Sequence, residues 1–260
     1  MKLDTSSYYP KSHLDDDGDD SPVFSESTAA DSSPESCPEP SSEAVHEPDL
    51  PPSELEAGIT QLSHFLSWVL VPLLMPVYGI MLAFGLSILS FTDFSVRLTF
   101  TAIVLGFNVV IPSLLVLLLK KLGLVQDVGL NGQQERFIPY IVCIACLIGT
   151  ALFMHFKGAP TWLVMFFFGG AAAGIIEVIV NRWWKISVHA AGIAGIVALL
   201  LRMFMAGDYM SPATQWWLIV SVGLAGMLGS ARIWLGRHTL MQVLAGYAVG
   251  FCSVFFMMSF

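Results

Sequence analysis

The sequence predicts an all-α protein, a polytopic bundle of about six to seven transmembrane helices preceded by an acidic tail. Of the 260 residues, 55% are hydrophobic and only 12% are charged, whereas a soluble domain carries about 25% charged residues. From residue 61 onward, apolar runs follow one another at about the 20 residues that a helix needs to cross a bilayer. The alternating polarity that a membrane-spanning strand barrel requires is absent.

The first 60 residues differ in composition from the rest of the chain. They hold 15 of the 20 acidic residues and two of the 12 basic ones, a charge of -13, which leaves +5 on residues 61–260. They are rich in Ser and Pro and have too few apolar residues to offset the entropy of folding, so residues 1–60 are predicted to be a disordered tail. An acidic docking arm is the alternative. The tail lacks a basic stretch followed by an apolar one, so no signal peptide is expected.

Seven apolar runs define the predicted spans of the transmembrane domain, residues 61–260. They cover residues 62–86, 98–119, 137–156, 161–180, 186–201, 213–228 and 239–258. The first contains Pro72 and Pro76, and proline in a helix interior predicts a kink. The chain is therefore expected to be a multi-pass integral membrane protein, placed by this interpretation in a bacterial inner membrane.

Glycines recur at helical spacing within these spans. Gly170 and Gly174 lie four residues apart in the fourth span, and Gly223, Gly226 and Gly229 follow one another in the sixth. Small residues at this spacing are expected to let neighbouring helices approach closely.

Basic residues cluster in the loops on one side of the predicted bundle. The loops after the second, fourth and sixth spans hold seven bases and the opposite loops three. The positive-inside rule would make the basic side, which carries the N-terminal tail, cytoplasmic. Four of the seven bases lie in or immediately beside the candidate site described below. Without them the two sides are equal, so the orientation stays open with a cytoplasmic tail favoured.

Three polar clusters fall on that basic side. The first, 133–136, ends in Arg136 before the third span. The second holds Ser187 and His189 at the start of the fifth span. The third lies between the sixth and seventh spans and holds Arg232 and His238, followed by Gln242. Polar residues at membrane depth are costly and are therefore functional candidates.

Together these clusters offer the groups that phosphoryl transfer needs. Arginine makes paired hydrogen bonds to phosphate oxygens, and the start of the fifth span would offer backbone N–H groups to an anion. Two histidines can serve as nucleophile and general acid. His238 and Gln242 share a helical face, so the amide can fix the imidazole tautomer. No metal or other cofactor is expected.

The clusters, within residues 128–242, resemble the three motifs of the type-2 phosphatidic acid phosphatase superfamily, which includes membrane lipid phosphatases and vanadium haloperoxidases. The family's third motif is Ser/Ala-Arg, five residues, His, three residues, Asp, and Ala231-Arg232 followed by His238 fits it. The second motif, Pro-Ser-Gly-His, is matched in part by Ser187 and His189. Of the first, Lys-six residues-Arg-Pro, only Arg136 remains.

The resemblance implies an acid-phosphatase-like helix arrangement and a role for each residue. His238 would be the nucleophile that forms a phosphohistidine, and His189 would protonate the leaving group. Arg136, Ser187 and Arg232 would bind the phosphoryl oxygens. The sequence departs from the family at three positions: Gln242 stands for the Asp, Val188 for a Gly, and Gly129 for the Lys.

These observations leave three hypotheses for function. The leading one is a membrane phosphatase acting on lipid phosphates or pyrophosphates, such as phosphatidate, phosphatidylglycerol phosphate or a polyprenyl pyrophosphate. The second is a catalytically impaired relative that binds phospholipid headgroups or partner proteins. The third is a small transporter or channel, suggested by the intramembrane Glu177. The scattered basic residues form no patch for nucleic acid, and no nucleic-acid partner is expected.

Overall fold

The computed structural model describes residues 53–122, 137–207 and 211–259. The predicted disorder of the tail up to residue 52 falls outside the described residues, and so does Arg136. Every regular element in the described part is helical. The α-helices are α1 (Glu54–Val69), α2 (Met75–Leu86), α3 (Phe94–Leu105), α4 (Ile111–Lys121), α5 (Phe137–Phe156), α6 (Thr161–Val180), α7 (Val188–Ala206), α8 (Ala213–Trp234) and α9 (Leu240–Met257).

Seven helical segments in the described ranges are long and apolar enough to cross a bilayer, as the sequence predicts. The first comprises α1 and α2 (Glu54–Leu86), the second α3 and α4 (Phe94–Lys121), and α5 to α9 supply one each. Large apolar side chains cover the outer surface, and Phe91, Phe156 and Trp183 are each more than three-quarters exposed. An apolar surface of this extent fits lipid rather than water. The architecture is that of a multi-pass integral membrane protein.

The first span is interrupted where its prolines lie, which confirms the predicted kink. Helix α1 ends at Val69, a 3-10 turn follows at Pro72–Leu74, and α2 starts at Met75. Pro72 lacks an N–H and its ring excludes the preceding turn of α-helix, so the chain restarts there.

Helix α1 begins at Glu54, inside the segment assigned to the tail. The Ser53 hydroxyl accepts from the Glu56 N–H and the Glu56 carboxylate accepts from the Ser53 N–H, which is a reciprocal capping box. The pattern Ser-x-x-Glu marks a helix start, so the apolar run at residue 62 begins two turns later than the helix itself.

The second span contains a π-helical stretch, Gly106–Val110, between α3 and α4. Pro112 lies in the first turn of α4. A proline ring would clash with the carbonyl of the residue four positions earlier, here Asn108. The wider π turn accommodates it and is a common form of irregularity at functional sites.

Glycines on α9 bring this helix against α7. A Cβ atom on Gly246 would overlap the carbonyl oxygen of Ser187, and one on Gly250 would overlap that of Ala191. Because only hydrogen occupies these two positions, the backbones approach closely, as in other membrane helix pairs. This contact sets the starts of α7 and α9 side by side.

The glycine prediction is confirmed for α6 and, at one of its three glycines, for α8. A Cβ on Gly174 would lie 2.9 Å from Ile144 of α5, and one on Gly170 would lie 3.7 Å from Leu147. A Cβ on Gly229 would overlap the Tyr247 hydroxyl of α9, so the expected close contact is present there. A Cβ on Gly223 or Gly226 would meet no described atom within 4 Å, so the expectation was wrong for these two glycines. Both lie on an exposed face of α8.

Candidate functional site

The second and third predicted clusters meet at one end of the bundle. His189 lies in the first turn of α7, Arg232 in the last turn of α8, and His238 in the connection to α9. All three line a single cavity of about 580 Å³ between the helices. Ligand sites commonly have volumes of about 300–1,000 Å³, and the cavity falls within that range.

Helix α8 is longer than its predicted span, which ended at residue 228. It continues to Trp234, so Arg232 lies on the helix and not in the loop where the sequence interpretation had it. The extra turns are more polar than the rest of the span, and the hydropathy signal therefore stopped before the helix did.

A tight turn after α8 places His238 at the cavity. Gly236 has φ +62, its N–H donates to the carbonyl of Ile233, and the Arg237 N–H donates to the carbonyl of Arg232. This pair of bonds is the Schellman motif, which requires a left-handed residue just past the helix end. Glycine adopts that conformation without strain.

The ring of His238 is held by Gln242. Nδ1 of His238 lies 3.3 Å from Oε1 of Gln242, and the backbone N–H of Thr239 donates to the same oxygen at 3.2 Å. Since the N–H can only donate, the oxygen of the amide must face this way. His238 then has to donate from Nδ1, and in the neutral ring the lone pair lies on Nε2.

Thr239 completes this arrangement as the cap of α9. Its hydroxyl accepts from the Gln242 N–H at 3.4 Å, so the two residues form a reciprocal capping box. The side chain of Gln242 thus caps the helix and contacts the imidazole at once, and the start of α9 holds His238 in place.

Arg232 and His189 meet at one residue of α1, Ser67. Nη1 of Arg232 donates to the Ser67 hydroxyl at 3.4 Å, and Nε2 of His189 lies 3.2 Å from the Ser67 carbonyl oxygen. A carbonyl oxygen only accepts, so His189 carries a proton on Nε2. Helix α1 therefore orients both the guanidinium of Arg232 and the imidazole of His189.

Ser187, which was predicted to bind phosphate, is the cap residue of α7 in this structure. The residue is completely buried and does not line the cavity. Its hydroxyl accepts from the Ala190 N–H as the cap of α7, and its own N–H donates to the Gln242 carbonyl at 3.2 Å. In this structure Ser187 joins the start of α7 to α9.

The remaining walls of the cavity are mostly apolar. They include residues from the broken first span, α4, α5, α6 and α9, among them Leu73, Met75, Leu117, Leu147, Phe166 and Val254. Among the polar exceptions are Tyr140, Glu177 and Asn108. The site is thus a polar pocket at one end of an apolar cavity.

The sequence interpretation missed Ser67 and the double role of Thr239 and Gln242. Thr239-x-x-Gln242 is a readable capping-box pattern. Ser67 gives no signal in the sequence, because it reaches Arg232 across 165 positions. Of the six predicted site residues, the structure brings His189, Arg232, His238 and Gln242 together, buries Ser187 behind them, and does not describe Arg136.

Comparison with protein-family models, with curated proteins and with solved structures finds no match to this chain.

Proposed function

We propose that this protein hydrolyses phosphate monoesters or pyrophosphates of membrane lipids, with His238 as the nucleophile. The observation that carries the proposal is the convergence of Arg232, His189 and His238 on one cavity at the end of the bundle. A guanidinium and two imidazoles supply charge stabilisation, nucleophile and acid without further groups.

The assigned tautomers suit a two-step reaction. Nε2 of His238 would attack phosphorus with its lone pair while the bond to the leaving oxygen breaks. His189 would give that oxygen a proton. Water would then attack the phosphohistidine and give a proton to Nδ1 of the now neutral His189, the P–N bond would break, and phosphate would leave. Because Nε2 of His189 donates to the Ser67 carbonyl, the transferred proton would come from Nδ1 of the doubly protonated ring.

Two features support a lipid as the substrate. The cavity lies among helices that span the membrane, and its walls beyond the polar end are apolar. A phosphate beside Arg232 would leave the attached chain within those walls. Water-soluble phosphate esters would gain nothing from this apolar surface.

Phosphate release in mixed micelles tests the proposal. Purified protein would be offered phosphatidate and a polyprenyl pyrophosphate, beside H238A and, as a control, R237A, which changes an exposed neighbour that does not line the cavity. We expect turnover by the wild type and R237A, and its loss in H238A. Absence of turnover by folded wild-type protein on both lipids would contradict the proposal.

A second candidate is a catalytically impaired protein that binds lipid phosphates without turnover. Gln242 favours it, because a neutral amide orients an imidazole but does not stabilise an imidazolium as a carboxylate does. The loss can be large: exchanging Asp for Asn in a serine-protease triad lowers the rate by about 10⁴. Binding of phosphatidate without phosphate release would support this candidate.

A further inference from the structure

Two acceptor oxygens on the cavity wall lack a donor among the described residues. Glu177 on α6 and Asn108 in the π-helical stretch both line the cavity, and each side chain is only 4% exposed. Oε1 of Glu177 and Oδ1 of Asn108 are buried and accept no hydrogen bond from the described part of the chain. Buried acceptors of this kind are few in native proteins, and each requires an explanation.

The orientation of the Asn108 amide follows from its neighbours. Its Nδ2 donates to the Val104 carbonyl at 3.0 Å and to the Thr150 hydroxyl at 2.8 Å. The Thr150 hydroxyl uses its own proton on the Cys146 carbonyl, so it can only accept from Asn108. The amide oxygen therefore cannot exchange places with the nitrogen, and no residue in the described part of the chain donates to it.

Glu177 lies nearer than Asn108 to the end of the cavity that holds His189, Arg232 and His238, called here the phosphate end. It precedes the end of α6 at Val180 by three residues, about one helical turn, and the chain enters α7 and His189 just beyond. Asn108 lies near the middle of the span Phe94–Lys121. A buried carboxylate without a cation is costly, and a donor group on a ligand would satisfy it in either protonation state.

We propose that Glu177 binds a hydrogen-bond donor on the lipid, a hydroxyl or an ammonium group close to its phosphate. This proposal rests on the proposed function only in taking the ligand to carry a phosphate group. It makes the site selective for lipid phosphates that carry such a donor over plain alkyl phosphates. Arg232 and the histidines would bind the phosphate, and Glu177 would accept a hydrogen bond from the hydroxyl or ammonium group next to it.

Binding to the H238A variant tests this selectivity without turnover. The probes are hexadecyl phosphate, which has no donor, palmitoyl lysophosphatidate, which has one hydroxyl, and sphingosine 1-phosphate, which has a hydroxyl and an ammonium group. We expect E177L to weaken binding of the second and third by about tenfold, the usual worth of a buried polar contact, and to change hexadecyl phosphate less than twofold.

Further variants separate the two donor sources and control for the cavity wall. E177Q keeps an acceptor but no charge. If the ammonium group is the partner, E177Q should still bind lysophosphatidate but lose affinity for sphingosine 1-phosphate. If the hydroxyl is the partner, E177Q should bind both lipids as before. L147A alters another cavity-lining residue of α5 and should leave the preference unchanged. E177L replaces a buried carboxyl that has no described partner, so it should fold at least as stably as the parent.

Two results would overturn the inference. One is equal affinity of the parent for all three lipids, and the other is an equal loss for all three in E177L. If all three lipid phosphates fail to bind, the proposed phosphate site is contradicted. Palmitoyl glycerol and sphingosine, which carry no phosphate, then test the role of Glu177 alone. Weaker binding of these phosphate-free donors to E177L would support its role, and unchanged binding would refute it.

Discussion

The amide oxygen of Gln242 accepts from both the imidazole of His238, at 3.3 Å, and the backbone N–H of Thr239, at 3.2 Å. The cap of α9 therefore determines which way the amide points, and the amide determines the tautomer of the histidine. Gln242 therefore fixes the orientation of the His238 imidazole in this structure.

Gln242→Glu is expected to raise the phosphatase rate. The carboxylate has the same reach, can accept from both donors, and adds a charge that stabilises the imidazolium formed when His238 is protonated. Gln242→Leu removes the acceptor and should lower kcat by about 10²-fold, the lower end of what general acid–base groups contribute. Phosphate release measured for both variants checks the two directions.

Thr239→Val is the control for these substitutions. It weakens the cap of α9 but leaves Gln242 beside the ring, so it should cost about 1 kcal/mol of stability and little activity. A rate for Gln242→Leu equal to that of the wild type would show that the contact with His238 has no catalytic consequence.

Ser67→Ala should raise the KM for a lipid phosphate by about tenfold, because the hydroxyl orients the guanidinium of Arg232 and a hydrogen bond to a charged group is worth about 1.5–3 kcal/mol. Ser63→Ala is the control, since it removes a hydroxyl from the same helix one turn before Ser67. Ser63 is buried, whereas Ser67 is half-buried. Equal KM values for the two variants would remove Ser67 from the site.

Gly236→Ala should reduce activity strongly while costing only about 1 kcal/mol in stability. The added Cβ strains a residue with φ +62 and shifts the turn that carries His238. Gly207, with φ +68 after α7, offers the matched substitution outside the cavity-lining residues. Thermal unfolding should change alike in both variants, whereas a parallel loss of activity in Gly207→Ala would contradict a local effect.

Gly250→Ala should destabilise the bundle in detergent, by about 1–3 kcal/mol as other overpacking substitutions do. Its Cβ would overlap the carbonyl oxygen of Ala191 and force α9 away from α7. Gly226→Ala meets no described neighbour within 4 Å, and its Tm should be unchanged or slightly higher, because Ala is the better helix former. A Tm for Gly250→Ala equal to that of the parent would contradict the close α7–α9 contact.

The sequence predicts the spans well because hydropathy and length are local properties. The third and fourth spans match α5 and α6 at both ends. Boundaries fail where a helix continues through polar residues, as α8 does from residue 228 to Trp234 and α1 does from Glu54 to the first apolar residues. In both cases capping and turn patterns, not hydropathy, mark the true end.

The site is predictable only in part. The four-residue spacing predicts the contact between His238 and Gln242, and that contact is present. The contacts of Ser67 with Arg232 and His189 depend on how α1 packs against α7 and α8, which no local pattern encodes. Gly246 and Gly250 have the same four-residue spacing as Gly170 and Gly174, but spacing alone does not say which glycines face a helix and which, like Gly226, face outward.

Trapping of the phosphoenzyme tests the central claim most directly. Wild-type protein and H238A would be mixed with a lipid phosphate labelled at its phosphorus, quenched in base, and analysed for protein-bound label. We expect a base-stable, acid-labile label at His238 of the wild type and no label on H238A. Equal label on both proteins, or phosphate release by the wild type without any labelled intermediate under rapid quenching, would contradict it.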